Sequence, residues 1–285
     1  MALLGAHVST AGGAARAFAN AERIGGDALQ IFVKNPNRWH APPLAEPEVA
    51  AYRAAREAHG CPPVVAHASY LINLAGMDPE TLTRSRAALG DELARCARLG
   101  VPGLVVHPGA HLGAGTDAGL DAVARSLDLV FKIEEGGGDL PQVWLENTAG
   151  QGTVLGSRLA ELRAIIDRCD HRERLGVCLD TCHAFAAGYP VHTETGLEAF
   201  LETFGADIGF ERLGCWHLND SRYPFGSRRD RHANLGRGEI GLQTFYTLVS
   251  DPRFAGLPML LETPHGEDEK EHARDLQRLR EPQEL

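Results

Sequence analysis

The chain has 285 residues, 44% of them apolar and 23% charged, ordinary values for a globular protein with one large core or two small ones. Its formal net charge of −10 at pH 7 argues against nucleic acid as a partner, unless carboxylates are gathered on metal ions. No apolar run approaches the roughly 20 residues that cross a bilayer, and the start, MALLGAHVSTAGG, is not a signal peptide, so a cytoplasmic protein with no membrane association is expected.

In chain order, apolar runs alternate with helical stripes. Residues 3–8 (LLGAHV) read as a strand before a Gly12-Gly13 turn, and 14–24 as a helix. Residues 28–33 (ALQIFV) are the second strand; the polar loop 34–40 follows, then an Ala-rich helix over 47–59. Residues 64–67 (VVAH) are the third strand, and the helix 78–99 carries Leu82, Leu89, Leu93 and Cys96 on one stripe. The fourth strand, 104–107 (LVVH), precedes a helix marked by Val123, Leu127, Val130 and Phe131. The fifth, 142–146 (QVWLE), precedes one marked by Leu159, Leu162, Ile165, Ile166 and Cys169. Residues 176–180 are the sixth strand and 194–204 a helix. The seventh strand, 213–218 (LGCWHL), runs into a polar loop reaching about residue 238, and a helix carries Leu242 to Val249. The eighth, 258–262 (PMLLE), leads to a closing acidic-basic helix.

Eight strand–helix alternations without a linker imply parallel β/α units. At this length the expected fold is α/β, a (β/α)8 TIM barrel, in a single domain over residues 1–285. A doubly wound open sheet is the alternative, but GAHVSTAGG matches its glycine fingerprint poorly. The cysteines (61, 96, 169, 178, 182 and 215) form no C-x-x-C pair and read as buried free thiols.

The strand ends share one chemistry. The third ends in His67, the fourth in His107 and the fifth in Glu146. The sixth ends in Asp180 with His183 just after, the seventh contains His217, its loop holds Asp230 and His232, and the eighth ends in Glu262. Taken singly, a strand-end histidine is more often a hydrogen-bonded core residue than a ligand, and Asp180 or Glu146 could cap a helix. Five histidines and four carboxylates on one rim shift that balance. Imidazole and carboxylate without thiolate suit zinc, manganese or iron. Nine donors exceed the roughly four of one tetrahedral zinc, so two or three ions sharing carboxylates are expected. Clustered divalent ions activate water and stabilise a phosphoryl group in displacement. They would also concentrate positive charge at the rim, which answers the objection from net charge.

Other rim segments are not obvious metal ligands and either meet a partner or pack on the barrel. Arg222, Arg228, Arg229, Arg231 and Arg237 in the seventh loop either add to the local field or form a solvated basic loop. Tyr70, Leu71 and Ile72 would be costly to leave on an open rim without a partner. The stretch KNPNRW (34–39) suits stacking and phosphate contact, although Trp39 reads better as packing on the barrel.

The motifs HASYLINLA, HPGAHLG, ENTAGQG, GVCLDTCHAFAAGY and HLNDSRYPFGSRRDRHANLGRGEIG lie between GAHVSTAGG and LLETP. Together they resemble endonuclease IV, the metal-dependent apurinic/apyrimidinic (AP) endonuclease family of base-excision repair. The resemblance implies three Zn2+ ions, with Mn2+ an alternative at one or more positions. His67, His107 and Glu146 would hold the first, Glu146, Asp180, His217 and Glu262 the second, and His183, Asp230 and His232 the third. Glu146 would be the catalytic bridge beside the attacking hydroxide, and Cys182 would pack without ligating. The implied reaction cleaves the phosphodiester 5′ to an abasic site in double-stranded DNA, leaving a 3′-hydroxyl and a 5′-deoxyribose phosphate. Trimming of blocked 3′ ends is implied too. Side chains that the family inserts at the lesion match Tyr70 and Leu71. A third, an arginine in the family, falls on Asn37 with Arg38 beside it, and Arg231 is also expected to contact DNA. A monomer is expected. A sugar isomerase on the same barrel would use one or two metals, fewer than nine donors supply, and a non-catalytic lesion binder would not need the full donor set.

Overall fold

Strand side chains alternate in direction, so every second residue of a closed barrel points inward. The computed structural model describes residues 1–134, 141–266 and 269–281. Eight parallel strands close the barrel: β1 (Leu3–His7), β2 (Ala28–Phe32), β3 (Val64–His67), β4 (Gly103–Val106), β5 (Gln142–Glu146), β6 (Leu175–Asp180), β7 (Leu213–His217) and β10 (Pro258–Leu261). Neighbours in sequence are neighbours in space, and β10 pairs with β1, Leu3 opposite Pro258 and Ala6 opposite Leu261. The expected TIM barrel is therefore the fold. Between β7 and β10 the rim carries a small antiparallel hairpin, β8 (Asp220–Ser221) with β9 (His232–Ala233).

The helices are α1 (Arg16–Arg23), α2 (Glu46–Ala58), α3 (Pro79–Leu99), α4 (Thr116–Glu134), α5 (Leu159–Arg168), α6 (Thr181–Ala187), α7 (Glu194–Asp207), α8 (Leu242–Ser250) and α9 (Lys270–Arg280). Local chemistry sets several ends. Asp78 accepts from Thr81 N–H at 2.8 Å with Pro79 in the first turn, and α3 stops at Gly100, whose φ of 70° suits glycine. Among the described residues, no helix is long and apolar enough to cross a membrane.

Inside the barrel, Ala28, Val65, Val105, Trp144, Cys178, Cys215 and Leu260 form one buried cluster. Two residues further along each of these strands stand Gln30, His67, His107, Glu146, Asp180, His217 and Glu262. The alternation thus sets a polar layer directly above an apolar floor. Trp144 fills most of that floor. A Cβ at Gly103 or Gly214 would stand 2.3 Å from its ring, and one at Gly176 2.6 Å, so three neighbouring strands are glycine where they meet it. All six cysteines are free thiols; five are buried as expected, whereas Cys61 is exposed because it lies in the turn after α2 with a φ of 57°.

Candidate metal centre

Glu146, at the end of β5, is fully buried and central to the polar layer. Its Oε2 lies 3.2 Å from His67 Nε2 and 2.9 Å from His107 Nε2. Its Oε1 lies 2.9 Å from His217 Nδ1 and 3.2 Å from His183 Nδ1. His217 Nδ1 is also 3.3 Å from Glu262 Oε2 and 4.0 Å from Asp180 Oδ2. On the far side, Asp230 reaches His183 Nε2 at 3.2 Å through Oδ2 and His232 Nε2 at 3.3 Å through Oδ1. The nine rim residues therefore meet as three sets: His67, His107, Glu146; Glu146, Asp180, His217, Glu262; and His183, Asp230, His232. Within each set the donor atoms lie within 4.8 Å of one another.

The imidazoles are oriented from behind. A carbonyl oxygen only accepts, so the ring nitrogen facing one must donate. His67 Nδ1 donates to Ala68 O (2.8 Å), His183 Nδ1 to Asn147 O (2.9 Å) and His232 Nδ1 to Glu262 O (3.2 Å). In the neutral form of all three rings, Nε2 keeps its lone pair toward the centre. His217 is turned the other way: its Nε2 donates to Gln30 Oε1 at 2.8 Å and frees Nδ1. Gln30 Nε2 is fixed in turn, because it donates to Glu262 Oε1 at 2.5 Å. Asn219 Nδ2 donates to Asp180 Oδ2 (2.6 Å) while its Oδ1 accepts from Glu262 N–H (2.8 Å), and Asn147 Oδ1 accepts from Asp180 N–H (2.6 Å). Such outer contacts aim ligands and set their basicity. Sequence reasoning missed Gln30, Asn147 and Asn219. The available signal was an amide at an inward strand position, or just past a strand-end residue already singled out.

Asp180 satisfies both of its readings at once. Oδ1 caps α6, accepting from His183 N–H at 2.7 Å, and Oδ2 faces the centre. The stretch after β6, where the sequence predicts no helix before residue 194, is thus helical over Thr181–Ala187, which carries His183 one turn above Asp180.

The cavity here, of about 330 Å³, has no lysine or arginine among its lining residues. Burial alone would raise the Glu146 carboxyl, but the rings of His217 and His107 outweigh it and hold it well below the usual range. Asp230 and Glu262 are likewise lowered against burial, chiefly by His183 and His217 respectively. Burial would lower His183, but Asp180 and Asp230 push it well above its ordinary value, and His232 rises to about 9. Carboxylates and imidazoles of this layer thus favour one another's charged forms. Even so, the buried Nε2 atoms of His183 and His232 have no hydrogen-bond partner, although both point at Asp230. Orphaned imidazole nitrogens beside a carboxylate fit a divalent cation. Two sets that include a thiol also meet the spacing, Cys178 and Cys215 with His217, and Asp180 and Cys182 with His232. Burial pushes the Cys178 thiol well up and the Cys182 thiol to about 12, which leaves oxygen and nitrogen as the better donors in these sets.

The rim loops answer the remaining expectations. Tyr70 is 63% exposed, lines the cavity, and lies against Phe32 and His67, with ring centroids 5.4 and 5.8 Å away. Leu71 is half-buried and Ile72 buried, so the tripeptide only partly faces solvent. Arg38, Asn37 and Arg231 lie on the rim loops, and all three are exposed. Trp39 packs on the core, as read. Lys34 is a correction: its ammonium is buried 3.3 Å from Glu92 and donates to Trp39 O at 3.1 Å, which removes it from phosphate contact. Glu92 also accepts from Ser69 N–H (3.1 Å), while Ser69 Oγ donates to Pro36 O (2.5 Å), so the loops after β2 and β3 are held together.

Known proteins share this arrangement of chain and barrel. The family model described as Xylose isomerase-like TIM barrel matches residues 18–281. A protein of Chloroflexus aurantiacus named "Probable endonuclease 4" is 47% identical over 281 residues, covering 98% of each chain. One of the same name from Halorhodospira halophila is 50% identical over 263 residues, covering 92% of this chain and 88% of its own. The crystal structure of endonuclease IV from Thermus thermophilus superposes with a TM-score of 0.84 at 39% identity, over 98% of this chain and 97% of that one.

Proposed function

The chain belongs to the endonuclease IV family, and from that premise we propose that it is a zinc-dependent nuclease of base-excision repair. It cleaves the phosphodiester 5′ to abasic sites in double-stranded DNA, leaving 3′-hydroxyl and 5′-deoxyribose phosphate ends, and it trims blocked 3′ ends. It acts in the cytoplasm as a single-domain monomer. The observation that carries the reading is the meeting of nine donors in three sets with Glu146 common to two of them.

His67, His107 and Glu146 would hold one Zn2+, Glu146, Asp180, His217 and Glu262 a second, and His183, Asp230 and His232 a third, with Mn2+ an alternative occupant. When bound, such ions supply an activated water and positive charge for the phosphoryl group. The chain's own contribution is placement. Glu146 offers one oxygen to each of two sets, so it ties their spacing together. Asp230, 41% exposed at its side chain, stands at the mouth where a phosphate enters. Tyr70, with Leu71 and Arg38 on adjoining loops, offers the side chains that fill the duplex when the abasic sugar turns outward.

Metal analysis of the purified protein together with nicking of an abasic duplex tests this. About three ions per chain are expected under multi-zinc coordination, with cleavage abolished by a strong chelator and restored by zinc. Zinc-loaded protein that leaves the abasic duplex intact overturns the reading.

A further inference from the structure

A second cavity, of about 520 Å³, opens beside the metal centre, and Arg222, Arg237, Arg274 and Arg278 stand in its wall. The partition between the two is thin. Asn234, two residues past His232, donates to Thr263 Oγ1 at 3.3 Å and to Pro264 O at 2.8 Å, and Thr263 directly follows Glu262. A third hollow continues the groove between α8 and α9 and shares Arg237, Arg274 and Arg278.

The arginines are carried on fixed backbone. Arg222 follows β8, and its N–H donates to Arg231 O at 3.0 Å. Arg237 sits between Gly236 and Gly238, whose N–H groups donate to the buried Asp220 Oδ2 at 2.9 and 3.0 Å. Asp220 Oδ1 accepts from Ile240 N–H as well, at 2.9 Å. Arg278 braces the wall, donating to Leu235 O at 2.8 Å with Asp275 at 3.6 Å. The acids of this wall are occupied from within: Asp275 Oδ2 accepts from Leu235 N–H (3.1 Å) and Glu271 Oε2 from Gly266 N–H (3.0 Å). Among the described residues, the exposed side chains of Arg222, Arg237 and Arg274 have no carboxylate at ion-pair distance.

Guanidiniums gathered on one wall without a carboxylate at ion-pair distance repel one another, and Asp275 offsets this only in part. Their planar donor forks match phosphate oxygens. A duplex strand presents a phosphate about every 3.4 Å along its axis, and the groove adjoins the site where one phosphodiester would react. We infer that Arg222, Arg237 and Arg274 form a phosphate-binding groove that engages the duplex backbone flanking the lesion. The inference rests on the reading of duplex DNA as substrate.

The test uses the full, zinc-loaded chain with Arg222→Gln, Arg237→Gln and Arg274→Gln, singly and together, and Arg274→Lys as a charge-conserving control. Affinity for abasic and undamaged duplexes is measured across a sodium chloride series. Each Gln variant should reduce the slope of log affinity against log salt by about 0.9, the share of one phosphate contact. The triple variant should weaken both duplexes by about 10- to 100-fold at low salt. Arg274→Lys should keep the slope. A triple variant with the unaltered slope overturns the groove. Wild-type protein that binds duplex but does not cut it defeats the nuclease reading instead, and the slopes still decide the groove.

Discussion

Glu146 gives one oxygen to His67 and His107 and the other to His217. Glu146→Gln keeps the shape and removes the charge, so DNA binding should persist while cleavage falls by more than about 100-fold; gel-shift and single-turnover assays on one preparation check this, and undiminished cleavage refutes the role. Gln30 tests the layer behind. Gln30→Leu frees His217 Nε2 and Glu262 Oε1 together, and zinc affinity measured by chelator competition should drop about 10- to 100-fold. His272 makes a pH prediction. Burial, opposed by its bond to Thr263 O, lowers it to about 4, so the folded chain stays unprotonated while the unfolded chain takes up a proton near the ordinary histidine value. A depressed histidine loses stability as pH falls, here between about 6.5 and 4. Urea unfolding at pH 7 and pH 5 should show wild type losing ~2 kcal/mol more than His272→Gln. At this scale the donors were legible because imidazole and carboxylate stand out against apolar strands. Gln30, Asn147 and Asn219 were not, since an amide becomes a support only when the neighbouring strand brings it something to hold.

Strand limits read from alternation and turn residues fall within about one residue of those observed, because each strand passes from apolar to polar where it leaves the barrel. Two elements escaped that logic. Helix α6 is buried on nearly all sides, so TCHAFAA shows no amphipathic stripe, and its cap is a residue already read as a ligand. The β8–β9 hairpin has two residues per strand, too few for any period. What fixes it is Asp220, whose carboxylate collects the N–H groups of Ser221, Gly236, Gly238 and Ile240. Asp220→Ala leaves the N–H groups of Ser221 and Ile240 buried without that acceptor and frees those of Gly236 and Gly238, and denaturant titration should show a loss of about 3 kcal/mol. Amide exchange at Gly236 and Gly238 should quicken at the same time.

Across the whole molecule, the centre gathers four carboxylates, with Glu146 and Asp180 buried outright. Cations that bind only the folded chain stabilise it by mass action, about 4 kcal/mol for one site at a thousandfold excess over its Kd. Chelation should therefore lower the melting temperature by at least ~10 °C for a chain of this size, reversibly on adding zinc; calorimetry with and without chelator measures it. The barrel was legible as a whole because its repeat is local. The arginine groove was not, since Arg222 and Arg237 meet Arg274 and Arg278 only after the barrel has closed.

The strand that closes the barrel is also the last of its eight strands to be synthesised. β10 joins β1 across nearly the full length of the chain, and the next residue is Glu262. The candidate donors begin at His67 and end at Glu262, so a nascent chain carries most of them with one edge of the sheet still open. A copy whose synthesis stalls before β10 has neither a closed wall nor a complete second donor set. The second donor set is thereby tied to closure: it is complete only once β10 has been made and the barrel can shut.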